Sequence, residues 1–151
     1  MLFLIYSIIL FSSIKEINCS TCKEESYLAN EDNVKLIGRY HIDDDSITWL
    51  VQSGSSIEFN LIAKTANIVL AGDESIEANI TARPRYAIYV EDQLVLDTLM
   101  SEKEKTVNLL NGGGEKKVKI RVMLLTEGFY GGVGIKNIVI YSCSKETKLI
   151  S

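Results

Sequence analysis

Period-two alternation of apolar and polar residues runs through most of this chain and predicts strands. In Ser56–Leu61, Ile57, Phe59 and Leu61 share one face while Ser56, Glu58 and Asn60 share the other. Lys117–Leu124 repeats the pattern, with Val118, Ile120, Val122 and Leu124 inward against Lys117, Lys119, Arg121 and Met123. Val133–Ile140 does so again through Val133, Ile135, Ile138 and Ile140, and Lys136-Asn137 interrupts the alternation in the manner of a β-bulge. Ala66–Ala71, Tyr86–Val90, Gln93–Leu99 and Thr106–Leu110 are further strand-length apolar segments. Glu91-Asp92 reads as a tight hairpin connection, and Asn111–Gly114 as the clearest turn. Pro84 precedes a strand rather than interrupting one. No segment carries a helical stripe of useful length; Ser101–Lys105 supplies a solvated turn, or one helical turn at most.

About eight or nine short strands in a domain of this size predict an all-β, two-sheet antiparallel β-sandwich. A jelly-roll type is preferred to an immunoglobulin-like one, because no Cys…Trp…Cys spacing occurs and the chain ends are expected to meet. The length of 151 residues predicts one domain. Leu2–Phe11 is an apolar run too short to span a bilayer, placed at the extreme N-terminus, so residues 1–20 read as a secretory signal peptide. It lacks the usual Lys or Arg before the apolar run, which leaves a buried strand or an anchor as alternatives. Residues 21–33 then form an N-terminal extension, 34–143 the jelly-roll domain and 144–151 a polar C-terminal tail. The expected product is secreted, with no membrane association after signal removal.

A formal charge of −4 and a pI near 5.1 give no electrostatic case for a nucleic-acid partner. Of the three cysteines, Cys19 falls in or beside the removed segment. Pairing Cys22 with Cys143 would close nearly the whole chain into one loop and stabilise it by about 4 kcal/mol. A Cys19–Cys143 bond and free thiols are the alternatives. Asn79-Ile80-Thr81 is a glycosylation sequon in a polar stretch, Asp73–Arg83, expected as a surface loop; it would be used in a eukaryotic source.

The search for catalytic chemistry assigns no residue. His41 is the sole histidine, set in a strand before the acidic turn Asp43–Asp45, and reads as a solvent-face side chain. No Gly-x-Ser-x-Gly elbow is present, and Gly72-Asp73-Glu74-Ser75 fails as a Gly-Asp-Ser nucleophile motif because of the inserted glutamate. Asp43-Asp44-Asp45 offers three carboxylates, but consecutive residues of an extended chain diverge, so an acidic β-turn is favoured over a Ca²⁺ site. No metal ligand or cofactor is assigned. Glu127–Gly134 lacks the Lys-Ser/Thr and the helix of a phosphate loop, and reads as a glycine-rich connection that leaves Phe129 and Tyr130 capping the core or exposed. Trp49, Tyr40, Tyr86, Tyr89 and Tyr130 are the rings available to stack on the apolar C–H face of a sugar. Trp49 and Tyr130 are the candidate carbohydrate-binding residues, although alternation with Thr48 and Leu50 leaves a core or core-edge place for Trp49 open and favoured.

Three stretches carry a family resemblance. Gly38-Arg39, an aromatic-bearing strand and Gln52–Phe59, followed by the hairpin of Tyr86–Asp97 and by Leu125-Thr126-Glu127 with Gly134–Ile138, resemble the N-terminal jelly-roll domain of family-two carbohydrate esterases over about residues 34–141. In that family the jelly roll precedes an SGNH-type hydrolase domain that removes acetyl groups from plant polysaccharides. The resemblance implies a non-catalytic, carbohydrate-associated module with polysaccharide as a partner. This sequence has no counterpart to the catalytic serine and histidine of the second domain, so the other expectations are an acetyl esterase whose SGNH domain is separate or missing, or an extracellular protein-interaction domain. Glu127 is expected to hydrogen-bond neighbouring backbone rather than substrate.

Overall fold

The computed structural model describes residues 21–77, 79–143 and 149. Its strands are β1 (Lys23–Tyr27), β2 (Lys35–Ile37), β3 (Tyr40–Ile42), β4 (Thr48–Leu50), β5 (Ser56–Ala63), β6 (Thr65–Gly72), β7 (Arg85–Val90), β8 (Gln93–Leu99), β9 (Glu104–Leu110), β10 (Lys116–Leu124) and β11 (Val133–Ser142). One sheet has the order β3-β4-β11-β6-β9, with β1 also paired to β11; the other has the order β2-β5-β10-β7-β8. Every pairing is antiparallel. This is the two-sheet sandwich that the alternation predicts. Among the described residues, helical structure is confined to three short 3-10 turns, Glu74–Glu77, Ile80–Ala82 and Gly128–Tyr130.

The core lies between the sheets, where the inward halves of the alternating strands meet. Ile57, Phe59 and Leu61 of β5, Ile120, Val122 and Leu124 of β10, and Ile135, Ile138 and Ile140 of β11 are all buried in one cluster. Each such side chain contributes about 1.5–3 kcal/mol on leaving water. β11 organises the first sheet. Its residues Val133–Ile135 pair with β4 and Ile138–Ser142 pair with β1, while β6 runs along its other side. The register shifts between Ile135 and Asn137, at the bulge expected from Lys136-Asn137. Glu91 (φ 52°) and Asp92 (φ 62°) both take left-handed backbone, as a two-residue hairpin turn between twisted strands requires.

The sandwich uses more strands than the eight or nine expected. Those without a legible pattern are β1, which is polar (KEESY), and the three-residue β2, whereas the short β3 and β4 are the strand expected around His41 and the aromatic-bearing strand of Trp49. Residues 21–33, read as an extension, thus supply β1 to the first sheet, and a Cys22–Cys143 disulfide joins that strand's start to the end of β11. In the tail, Leu149 is only 5% exposed and packs on the core. The signal-peptide segment, with Cys19, lies outside the described residues. No helix among the described residues is long and apolar enough to cross a membrane.

Candidate functional site

The β3–β4 hairpin positions Trp49. Thr48 and Leu50 are buried, so the residue between them faces away from the core, on the outer surface of the first sheet. Trp49 is therefore neither in the core nor at its edge, the place favoured from the sequence. A single cross-strand row runs His41, Trp49, Gly134, Ala71, Glu104 through β3, β4, β11, β6 and β9. Gly134 and Ala71 are buried although they face outward. The indole and Ile47 occupy the space over Gly134: a Cβ there would lie 3.2 Å from Trp49 Cδ2 and 2.8 Å from Ile47 Cγ2. An aromatic ring set over a strand glycine replaces the packing that the glycine lacks.

Asp43 fixes the ring. Its Oδ1 accepts from the backbone N–H of Ile47 at 2.9 Å and of Asp45 at 3.0 Å, and its Oδ2 accepts from Trp49 Nε1 at 2.7 Å. Donation by the indole first, and by Ile47 N–H next, holds the Asp43 carboxyl below the ordinary carboxylate value. The acidic run is thus a hairpin turn in which Asp43 is committed to structure. Among the described residues no three His, Cys, Asp or Glu side chains converge as a metal site. His41 is exposed, with its ring 6.4 Å from that of Trp49 and inclined by 14°.

Polar groups share this outer face. Lys136 Nζ reaches over β6 to Glu104 Oε2 at 2.6 Å, passing the small Ala71. Asn108 Nδ2 donates to Asn67 Oδ1 at 3.0 Å, and Asn137 Nδ2 donates to Ser26 Oγ at 2.9 Å. An amphipathic ring beside amides and an ion pair offers an apolar surface to C–H groups and hydrogen-bonding partners to hydroxyls.

The other rings named from the sequence are dispersed. Tyr86 is fully buried, and burial first, then the Glu102 charge, pushes its phenol up to about 12. Tyr89 lies on the outer face of the second sheet, with the Arg121 guanidinium 5.9 Å from its centroid and Arg121 in turn paired to Glu58 at 2.6 Å. Tyr40 packs against the core edge and donates to Glu31 Oε1 at 2.6 Å, which raises its own pKa. That pair borders a shallow cleft of about 350 Å³ between the two sheet edges, with Val34, Lys35 and Leu36. Tyr130 sits in the 3-10 turn before β11, 39% exposed, edge-on to Phe129. It makes no ring contact with Trp49, but Gly132, two residues on, is against the indole: a Cβ there would lie 3.6 Å from Cε3.

Glu127 departs from expectation. Its side chain makes no capping bond, and the turn is closed by its backbone carbonyl, which accepts from Tyr130 N–H at 2.9 Å. Asp73 does the clamping instead. Its Oδ2 accepts from Gly132 N–H at 2.7 Å, while its Oδ1 accepts from the backbone N–H of Ser75 at 2.9 Å and from the Ser75 hydroxyl. The Asp-x-Ser spacing carries that signal, since Asp commonly caps the N–H two residues on. Asn79 is exposed and caps the following turn by accepting from Thr81 N–H at 3.3 Å.

Neither a protein-family model nor a curated protein sequence matches the chain. Solved structures do. A family two carbohydrate esterase from Cellvibrio japonicus is similar at a TM-score of 0.72 and 14% identity, over 86% of this chain and 36% of that one. One from Clostridium thermocellum, in complex with cellohexaose, is similar at a TM-score of 0.60 and 18% identity, over 79% and 33%. The CBM36-1 domain of a multidomain xylanase from the hindgut metagenome of Trinervitermes trinervoides is similar at 0.53 and 8%, over 80% of this chain and 97% of that domain. The chain spans about a third of the length of the esterases it matches. At these identities the likeness establishes a fold: the β-sandwich that the sequence resemblance implied, shared with one part of family two carbohydrate esterases and with a whole carbohydrate-binding module.

Proposed function

We propose that this chain is a secreted, non-catalytic, carbohydrate-associated module that holds polysaccharide on the outer face of its first sheet, with Trp49 as the stacking platform and Tyr130 as a flanking ring. The carrying observation is the outward, half-buried Trp49 indole, held against Gly134 and by Asp43 on the sheet face. The fold supports the reading, because it recurs as nearly the whole of a xylanase's CBM36-1 domain. Export is supported by the apolar Leu2–Phe11 segment and by the Cys22–Cys143 disulfide, a bond that persists in oxidising compartments. In a eukaryotic source the exposed Asn79 would carry N-linked glycan. Pull-down on insoluble xylan, mannan and cellulose tests the proposal: the protein is retained on at least one, and Trp49→Ala reduces retention. Passage through all three without retention removes the reading.

A second reading, the jelly-roll portion of an acetyl esterase acting with an SGNH domain, is favoured by the match of most of this chain to only a third of each esterase. A Gly-Asp-Ser block in coding sequence downstream would support it. Acetyl-ester turnover by the purified chain that His41→Ala abolishes would overturn the non-catalytic proposal.

A further inference from the structure

We propose that Phe129, braced by Tyr130, is a second contact platform through which the Trp49 face reads a polysaccharide chain rather than a single sugar ring; this rests on the carbohydrate reading above. Phe129 is 93% exposed, and its ring meets that of Tyr130 at 5.6 Å and 86°. Apolar side chains exposed singly need no explanation. This one differs in how firmly its loop is held. A Cβ on Gly128 would strike the Val51 carbonyl oxygen, and one on Gly132 would come within 2.8 Å of the Leu50 carbonyl oxygen. Gly131 has φ 89°, which favours glycine. Asp73 ties Gly132 N–H to the neighbouring Glu74–Glu77 turn, and Tyr130 N–H and Gly131 N–H close the loop on the carbonyls of Glu127 and Gly128. Three glycines and one aspartate thus fix a loop that delivers a phenyl ring to solvent, where it adds nothing to the core.

The loop is also continuous with the Trp49 face. Gly132 lies against the indole, and Phe129 is three residues upstream, so their Cα atoms are at most roughly 11 Å apart. Two aromatic pairs, His41 with Trp49 and Phe129 with Tyr130, therefore stand a short span of chain apart on either side of Gly132. A ligand of one or two sugar rings can occupy Trp49 alone. A longer chain can reach both platforms, which makes polysaccharide the occupant that this layout favours over a compact ligand.

Calorimetric titration with cellobiose, cellohexaose and mannopentaose tests the proposal on the wild-type protein, Trp49→Ala, Phe129→Ala and Phe129→Trp. The wild type should bind at least one of the longer oligosaccharides more tightly than cellobiose. Phe129→Ala should weaken that longer ligand about three- to tenfold, the range of one aromatic contact, and leave cellobiose unchanged. Phe129→Trp should retain the long-chain affinity, and Trp49→Ala should weaken every ligand. Unaltered long-chain affinity in Phe129→Ala beside a loss in Trp49→Ala overturns the second platform while sparing the first. Absence of binding to all three by the wild type overturns both. Loss of self-association in Phe129→Ala by sedimentation, with sugar affinity unchanged, assigns the ring to a second copy and overturns the proposal.

Discussion

Trp49 Nε1 donates to Asp43 Oδ2 at 2.7 Å, so the carboxylate that closes the β3–β4 turn also aims the indole. A depressed carboxyl pKa has a defined consequence for pH. The fold favours the ionised form, so the clamp's contribution is present above the ordinary carboxylate value and is lost as pH falls through the lower value of the folded state. The chain has a single tryptophan, and its fluorescence reports this site directly. Emission should hold steady from neutral pH down to the ordinary carboxylate range and shift below it. In Asp43→Asn that acid shift should disappear and the thermal midpoint at neutral pH should fall; an identical acid limb in the variant would rule the clamp out.

How legible the fold was depended on strand length and on burial of one face. β5, β10 and β11 run for 8, 9 and 10 residues with one face in the core, so Ile57, Ile120 and Ile135 announce themselves by alternation. β1 could not be read, because backbone pairing with β11 and a disulfide hold Lys23–Tyr27, and neither demands apolar residues. The site was less legible still. Trp49 stands in a three-residue strand, where Thr48 and Leu50 are both buried and a polar hydroxyl marks an inward position. That Thr48 faces inward follows from a partner 19 residues away, since its hydroxyl donates to the Ala29 carbonyl at 2.7 Å. Glu127 and Asp73 exchanged roles for a similar reason: both flank the same glycine turn, and only the three-dimensional closure of that turn shows which carboxylate reaches Gly132 N–H.

Gly134 should tolerate no side chain. Its added Cβ would meet Ile47 Cγ2 at 2.8 Å, Ala71 Cβ at 3.1 Å and Trp49 Cδ2 at 3.2 Å. Gly134→Val is expected to cost about 1–3 kcal/mol in urea denaturation, the range for overpacking a filled site. It should also red-shift Trp49 emission as the ring is pushed toward water. A destabilised variant with unaltered emission would mean that the strain is relieved through Ile47 rather than the indole.

Tyr86 offers the reverse experiment. Its hydroxyl is buried and makes no hydrogen bond to a described protein group. Tyr86→Phe removes a desolvated polar atom without opening a large cavity, so stability at neutral pH should stay within about 1 kcal/mol of wild type or rise. The raised phenol pKa adds a pH signature. The folded state retains the proton between the ordinary tyrosine value and about 12, so stability falls as pH climbs through that window. Denaturation midpoints of the phenylalanine variant should fall less steeply there; equal slopes would contradict it.

The Cys22–Cys143 bond closes a loop across a sequence separation of 121 residues and anchors a strand with little apolar content of its own. Its main effect should be on the unfolded chain, where a loop of that size removes conformational freedom equivalent to about 4–5 kcal/mol. Near the bond, Glu115 Oε1 accepts from Cys143 N–H and from the Ser142 hydroxyl, so the end of β11 keeps a second tether when the disulfide is gone. Cys143→Ala is therefore expected to fold, but with unfolding free energy in urea lower by several kcal/mol. Hydrogen exchange should then be fastest along β1, whose amides rely on the strand being held in place, while β5 and β10 lose only the protection that the lower global stability removes. Protection in β1 equal to that in β5 and β10 would show that β1 opens only with the whole sandwich and gains no local hold from the bond.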